Sequence, residues 1–100
     1  VVPVLKGFDV RKEMRHLLQD DVLFNSLSSK LIIWDTYHHG GYAKTSPELL
    51  SFIDAFHLQN NFQIEPVYTG KVFYALNDVL KKDKELFDGK NMLVVHTGGV

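Results

Sequence analysis

An α/β architecture of three layers, a mostly parallel sheet with helices on both faces, follows from three features of this 100-residue sequence. Leu31-Ile32-Ile33-Trp34 and Met92-Leu93-Val94-Val95 are apolar runs without alternation, as expected of strands covered on both faces. The stretches between them place apolar residues at helical spacing. The resulting order is strand, helix, strand, helix, helix, strand, which calls for helical crossovers between parallel strands.

Composition bounds the possibilities. The chain is 45% hydrophobic and 12% aromatic, enough to build the core of one small domain, so general disorder is excluded. Eleven basic against 12 acidic residues create no field that would gather nucleic acid or an anionic membrane. No apolar run approaches the ~20 residues of a membrane span. Neither nucleic acid nor membrane is therefore an expected partner. The absence of cysteine excludes a disulfide scaffold, a thiolate zinc site, an iron–sulfur cluster and a cysteine nucleophile. It fits a reducing, cytoplasmic setting. The chain opens on a strand-like run with no initiator Met, so a piece of a longer protein is expected.

Val1 to Leu5 reads as a short buried strand, with Pro3 tolerable near its start. Asp9 can cap a helix, on which Val10, Met14, Leu17 and Leu18 share a face. Asp20-Asp21 interrupts it, and Val22 to Leu27 is compatible with a short helix or a loop. Asp35 to Lys44 is a loop. Thr45-Ser46-Pro47-Glu48 then starts a helix: Thr45 and Glu48 have capping-box spacing, and Pro47 suits the first turn. Leu49, Leu50, Ile53, Phe56 and His57 follow on one face, ending near Asn60-Asn61. Glu65 to Lys71 is a turn into a helix whose face is Val72, Phe73, Leu76, Val79 and Leu80. Lys81 to Lys84 closes it, with cations at the negative end of the dipole.

Three polar loops concentrate the reactive residue types. Tyr37-His38-His39-Gly40-Gly41-Tyr42 and His96-Thr97-Gly98-Gly99 each follow a predicted strand, where parallel sheets bind ligands. Tyr68-Thr69-Gly70-Lys71 sits at a helix N-terminus, which favours an anion. Plain readings stand beside these. Glycine pairs serve turns, the tyrosines can be packing residues, and the lysine cluster is a solvated helix end. Thr69-Gly70-Lys71 lacks the upstream glycine of a phosphate loop, and no Gly-x-Ser-x-Gly elbow supports a serine hydrolase. His38, His39 and His96 form a weak candidate metal set, because two adjacent histidines lack ligand spacing.

Glu65-Pro66-Val67-Tyr68-Thr69-Gly70-Lys71 followed by His96-Thr97-Gly98-Gly99, together with Gly41-Tyr42 ahead of Thr45-Ser46-Pro47-Glu48 and with Val4-Leu5-Lys6-Gly7, closely resembles a known pattern. It is that of the C-terminal part of the 1-aminocyclopropane-1-carboxylate deaminase and D-cysteine desulfhydrase family, of tryptophan-synthase-β-like fold. The resemblance spans essentially the whole chain. It implies a pyridoxal 5'-phosphate enzyme acting on a small amino acid, whose Schiff-base lysine and phosphate loop lie in an N-terminal part without a counterpart here. It also implies a homodimer. On this resemblance residues 1–100 are a single unit supplying one wall of the active site, inactive alone.

Carried over residue by residue, Tyr42 and Tyr68 match the two active-site tyrosines, able to donate or accept a proton where neighbours lower the phenol pKa. Thr97 matches the position near the cofactor's pyridine nitrogen, and Gly98 and Gly99 allow close approach to the ring. Thr69 departs from the family. The deaminases place Glu there, beside that nitrogen, and a threonine hydroxyl cannot stabilise a pyridinium in the same way. The departure favours the desulfhydrase side. Lys71 is read as structural or electrostatic. The competing reading is a non-catalytic α/β module that uses the same loops to bind a ligand or partner.

Overall fold

The computed structural model describes residues 1–96. Four helices form: α1 (Val10–Leu18), α2 (Asp21–Ser28), α3 (Pro47–Gln59) and α4 (Thr69–Lys82), followed by a single 3-10 turn, Lys84–Phe87. Asp9 caps α1 as the sequence indicates, its carboxylate accepting from the Lys12 amide at 3.0 Å. Gln19 turns the chain through a left-handed conformation (φ 51°), and Asp20 then caps α2 by accepting from the Leu23 amide. This settles Val22 to Leu27 as helix. The α3 cap is Ser46 rather than Thr45: its hydroxyl accepts from the Leu49 amide at 3.1 Å, with Pro47 at the first helical position.

The core lies between α3 and α4. Leu49, Ile53, Ile64 and Ala75 are buried, and Phe52, Phe56, Phe73 and Tyr74 pack around them. Each of the two buried α3 side chains contributes roughly 1.5–3 kcal/mol by leaving water. Their spacing, 49 and 53, is one helical turn, so a single face of α3 is committed to α4. The Ile64 amide donates to His57 Nε2 at 3.2 Å, which folds the segment after α3 back under the helix. Gly70 lets α4 begin in contact with this layer, because a Cβ there would lie 2.5 Å from the Glu65 carbonyl oxygen. The α1–α2 pair packs on itself and buries no residue completely.

The expected parallel sheet is not found: among the described residues there is no β-strand. The three apolar runs exist, but they do not find the neighbours that a ladder requires. Val1 and the 31–34 run exchange two main-chain bonds, from the Val1 ammonium to the Ile32 carbonyl and from the Trp34 amide to the Val1 carbonyl, each 2.9 Å. The pairing stops there, because Pro3 has no amide to donate and the chain turns at Leu5 to Phe8. The 92–95 run stays open, with Leu93 88% exposed. Burial on both faces is what a parallel strand needs, and helices α1 to α4 cover neither run in that way. The described fold is helical.

Candidate functional site

Two segments bring the conspicuous tyrosines together. The loop between α2 and α3 carries Tyr42, and the residue just before α4 is Tyr68. Their rings lie 6.1 Å apart at 58°, and the Tyr68 hydroxyl donates to the Tyr42 oxygen at 3.4 Å. Both are about half exposed, so the pair faces outward from a buried base. The hydrogen bond to Tyr42, with a smaller contribution from desolvation, holds the Tyr68 phenol above its ordinary pKa.

The base is built by Glu65. Its carboxylate accepts from the amides of Val67 (2.6 Å), Tyr68 (2.8 Å) and Thr69 (2.7 Å), and from the Thr69 hydroxyl at 3.2 Å. In return the Thr69 hydroxyl accepts from the Glu65 amide at 3.0 Å. The amides leading into α4 and its first one, Thr69, are thus satisfied by an internal anion, and the next, Gly70, donates to the Glu65 carbonyl at 2.7 Å. Burial alone would push the Glu65 carboxyl up. The amides of Thr69, Val67 and Tyr68 and the Thr69 hydroxyl outweigh it and hold the group below its usual range. The anion-favouring helix start read from the sequence is therefore occupied by the chain itself.

Lys71 is fully buried, and its ammonium donates to the Gly41 carbonyl at 2.9 Å. Desolvation lowers its pKa, partly offset by the charge of Glu65. On the other side, His39 Nδ1 lies 2.7 Å from Ser46 Oγ, and its ring meets the edge of Tyr74 at 4.7 Å. Burial, then the charge of Lys71, lowers the His39 pKa. His39 (φ 53°), Gly40 (φ 106°), Gly41 (φ 127°) and Ala43 (φ 57°) all have left-handed backbone. At Gly41, itself buried, that conformation requires glycine.

The structure thus joins Tyr42 and Tyr68, and it turns the Thr69 hydroxyl inward to Glu65. Thr97, Gly98 and Gly99 lie outside the described residues. His38 Nδ1 accepts from the Gly40 amide, and His96 Nε2 lies 2.8 Å from the Gln63 carbonyl oxygen. Among the described residues no group of three His, Asp or Glu side chains could hold a metal ion. Glu65 escaped sequence reading as a site residue, and Lys71, read as structural or electrostatic, was not placed in a buried base. Glu65 had a signal, a carboxylate four positions ahead of the helix-starting Thr69. Lys71 had a fainter one, a place one turn before Ala75 on the buried face.

Comparison with known proteins finds relatives over part of the chain. A protein of Pyrococcus furiosus named "Putative 1-aminocyclopropane-1-carboxylate deaminase" is 39% identical over 75 residues, 75% of this chain and 22% of that protein. The mitochondrial bifunctional D-cysteine desulfhydrase/1-aminocyclopropane-1-carboxylate deaminase of Arabidopsis thaliana is 35% identical over 60 residues, 60% of this chain and 15% of that protein. This chain resembles that family. It spans under a quarter of the length of these curated relatives. No protein-family model matches it, and no solved structure does. Among the described residues, no helix is long and apolar enough to cross a membrane.

Proposed function

We propose that this chain supplies one wall of the active site of a pyridoxal 5'-phosphate-dependent lyase or deaminase acting on a small amino acid. Elimination from D-cysteine is favoured over opening of the cyclopropane acid. The observation that carries the reading is the outward-facing Tyr42–Tyr68 pair on a base formed by Glu65 and Lys71. It is supported by relatives whose names state those two activities. The described residues fit the cofactor on the substrate side. Two phenols at one spot suit proton transfer beside a bound amino acid. The amides at the start of α4 are already taken by Glu65, so the cofactor phosphate is held by other parts of the protein. Thr97, Gly98 and Gly99 are the residues proposed to approach the cofactor ring; Thr69, the fourth residue assigned to the cofactor, is buried with its hydroxyl on Glu65.

When bound, pyridoxal phosphate supplies the electron sink for the carbon chemistry. The chain's own part is proton handling. Tyr68 donates to the Tyr42 oxygen, which leaves the Tyr42 proton free to point outward. The hydrogen bond to Tyr42 holds the Tyr68 phenol above its ordinary pKa, so Tyr68 keeps its proton at neutral pH as a store for Tyr42 rather than as an activated acid. Tyr42 delivers a proton to the leaving sulfur, and Tyr68 replaces it. Thr69 brings no carboxylate to the site, and its hydroxyl is engaged by Glu65, which suits elimination more than ring opening. The remaining N-terminal part of the enzyme and a second copy of the protein are the proposed partners.

The test is made on the full-length protein. Pyruvate and sulfide release from D-cysteine should exceed 2-oxobutyrate release from the cyclopropane acid, and the reverse order refutes the substrate choice. Tyr68→Phe should lower kcat by about 10²-fold or more, the usual contribution of a general acid, with cofactor content unchanged. An unaltered kcat removes Tyr68 from proton transfer.

A further inference from the structure

Lys71 is a buried titratable group that the proposed proton transfer does not use. A wholly desolvated ammonium is costly and persists only where a specific interaction compensates. Its hydrogen-bond acceptor is the Gly41 carbonyl, which also accepts from the Lys44 amide at 3.1 Å. That carbonyl shares a planar peptide unit with the Tyr42 nitrogen, so fixing the oxygen fixes where the Tyr42 side chain originates. The loop needs such an anchor. Two of its non-glycine residues, His39 and Ala43, are left-handed, and strained backbone of that kind persists only when its surroundings over-determine it. The other end of the anchor is equally well placed. The Lys71 amide donates to the Tyr68 carbonyl at 3.1 Å, so the lysine stands in the first turn of α4, directly above the second tyrosine.

We propose that Lys71 is a positioning residue that sets Tyr42 against Tyr68 by holding the Gly41 carbonyl. The inference rests on reading the tyrosine pair as the proton-transfer device. Lysine suits the task because its long stem spans from α4 to the loop, while its single charged head reaches one carbonyl. Glu65 and His39 are the titratable groups felt at this position, Glu65 favouring the charged form of Lys71 and His39 being held neutral beside it.

The readout is the Tyr68 phenol itself, followed in the full-length protein by NMR of ¹³Cζ-labelled tyrosine during a pH titration, with Tyr68→Phe supplying the assignment. Lys71→Met removes the donor while keeping the apolar stem. Its Tyr68 midpoint should fall back toward the ordinary phenol value of about 10, and kcat on D-cysteine should drop by about 10²-fold with KM changed less. Lys71→Arg, which keeps a donor, should retain the raised midpoint and part of the activity. A folded Lys71→Met protein with an unchanged Tyr68 midpoint overturns the proposal. If Lys71→Met does not fold, the unsubstituted protein decides. Labelled at Gly41 ¹³C′ and lysine ¹⁵Nζ, it should show the Gly41 carbonyl resonance moving with the Lys71 titration, and a carbonyl indifferent to it overturns the proposal. A protein inactive on both amino acids whose Tyr68 midpoint still depends on Lys71 refutes the enzymatic reading and upholds the positioning role.

Discussion

Gly70→Ala sets two opposed effects against each other. Inside a helix, alanine is ordinarily preferred to glycine by about 1 kcal/mol. At position 70 the added Cβ would stand 2.5 Å from the Glu65 carbonyl oxygen, 2.8 Å from Ile53 Cδ1 and 3.3 Å from the Glu65 carbonyl carbon. An ordinary contact is near 3.5–4.0 Å, so the deficit against the oxygen is about 1 Å. The Ile53 methyl can swing aside, but the carbonyl cannot do so alone. It accepts from the Gly70 amide at 2.7 Å, and the Glu65 amide is bound to Thr69. Relief therefore means moving the start of α4 away from the Glu65 turn. Overpacking of this kind costs about 3 kcal/mol where backbone must shift. The clash wins, for a net loss of about 2 kcal/mol. In a full-length protein of its relatives' size, of which this chain spans under a quarter, that lowers Tm by no more than about 4–8 °C. Thermal unfolding of the full-length protein followed by circular dichroism measures it. A Gly70→Ala protein as stable as its parent, or more so, would show that the close approach of α4 to Glu65 is wrong.

Two further outcomes concern the caps. Glu65→Gln should destabilise by about 2 kcal/mol, since charge-assisted bonds to three amides are weakened together. The Glu65 carboxyl titrates lower in the folded chain than its unfolded value of 4.5. Its stabilisation is therefore present above that value and is lost as the pH falls through the folded pKa. Urea midpoints should converge for the parent and Glu65→Gln in that acid range, and a gap independent of pH refutes the assignment. Ser46→Ala should cost about 1 kcal/mol by uncapping α3, and a neutral result in urea denaturation would return the cap to Thr45.

The helices were legible in the sequence because their causes are local. Asp9 three residues before Lys12, and Ser46 three before Leu49 with Pro47 between, place an acceptor opposite an amide that needs one. The Tyr42–Tyr68 pairing was legible only through resemblance, since nothing in composition or spacing relates residues 26 positions apart. That Glu65 and Lys71 are buried was not legible, for a physical reason. Their charges are ordinarily solvated, and burial is a property of what surrounds a residue.

By itself, then, the sequence determined three of the four helices and the apolar face of α3, and it left Val22 to Leu27 open between helix and loop. It could not determine a sheet. Strand-forming runs state only a need for partners, and whether Val1 to Leu5, Leu31 to Trp34 and Met92 to Val95 find them depends on distant chain. Among the described residues, a proline without an amide ends the pairing that begins at Val1, and the 92–95 run forms no ladder. Tertiary structure alone decided that the start of α4 is filled by Glu65 and that a buried lysine reaches the loop of Tyr42. Both depend on atoms meeting across folds of the chain, where distance in sequence carries no information about distance in space.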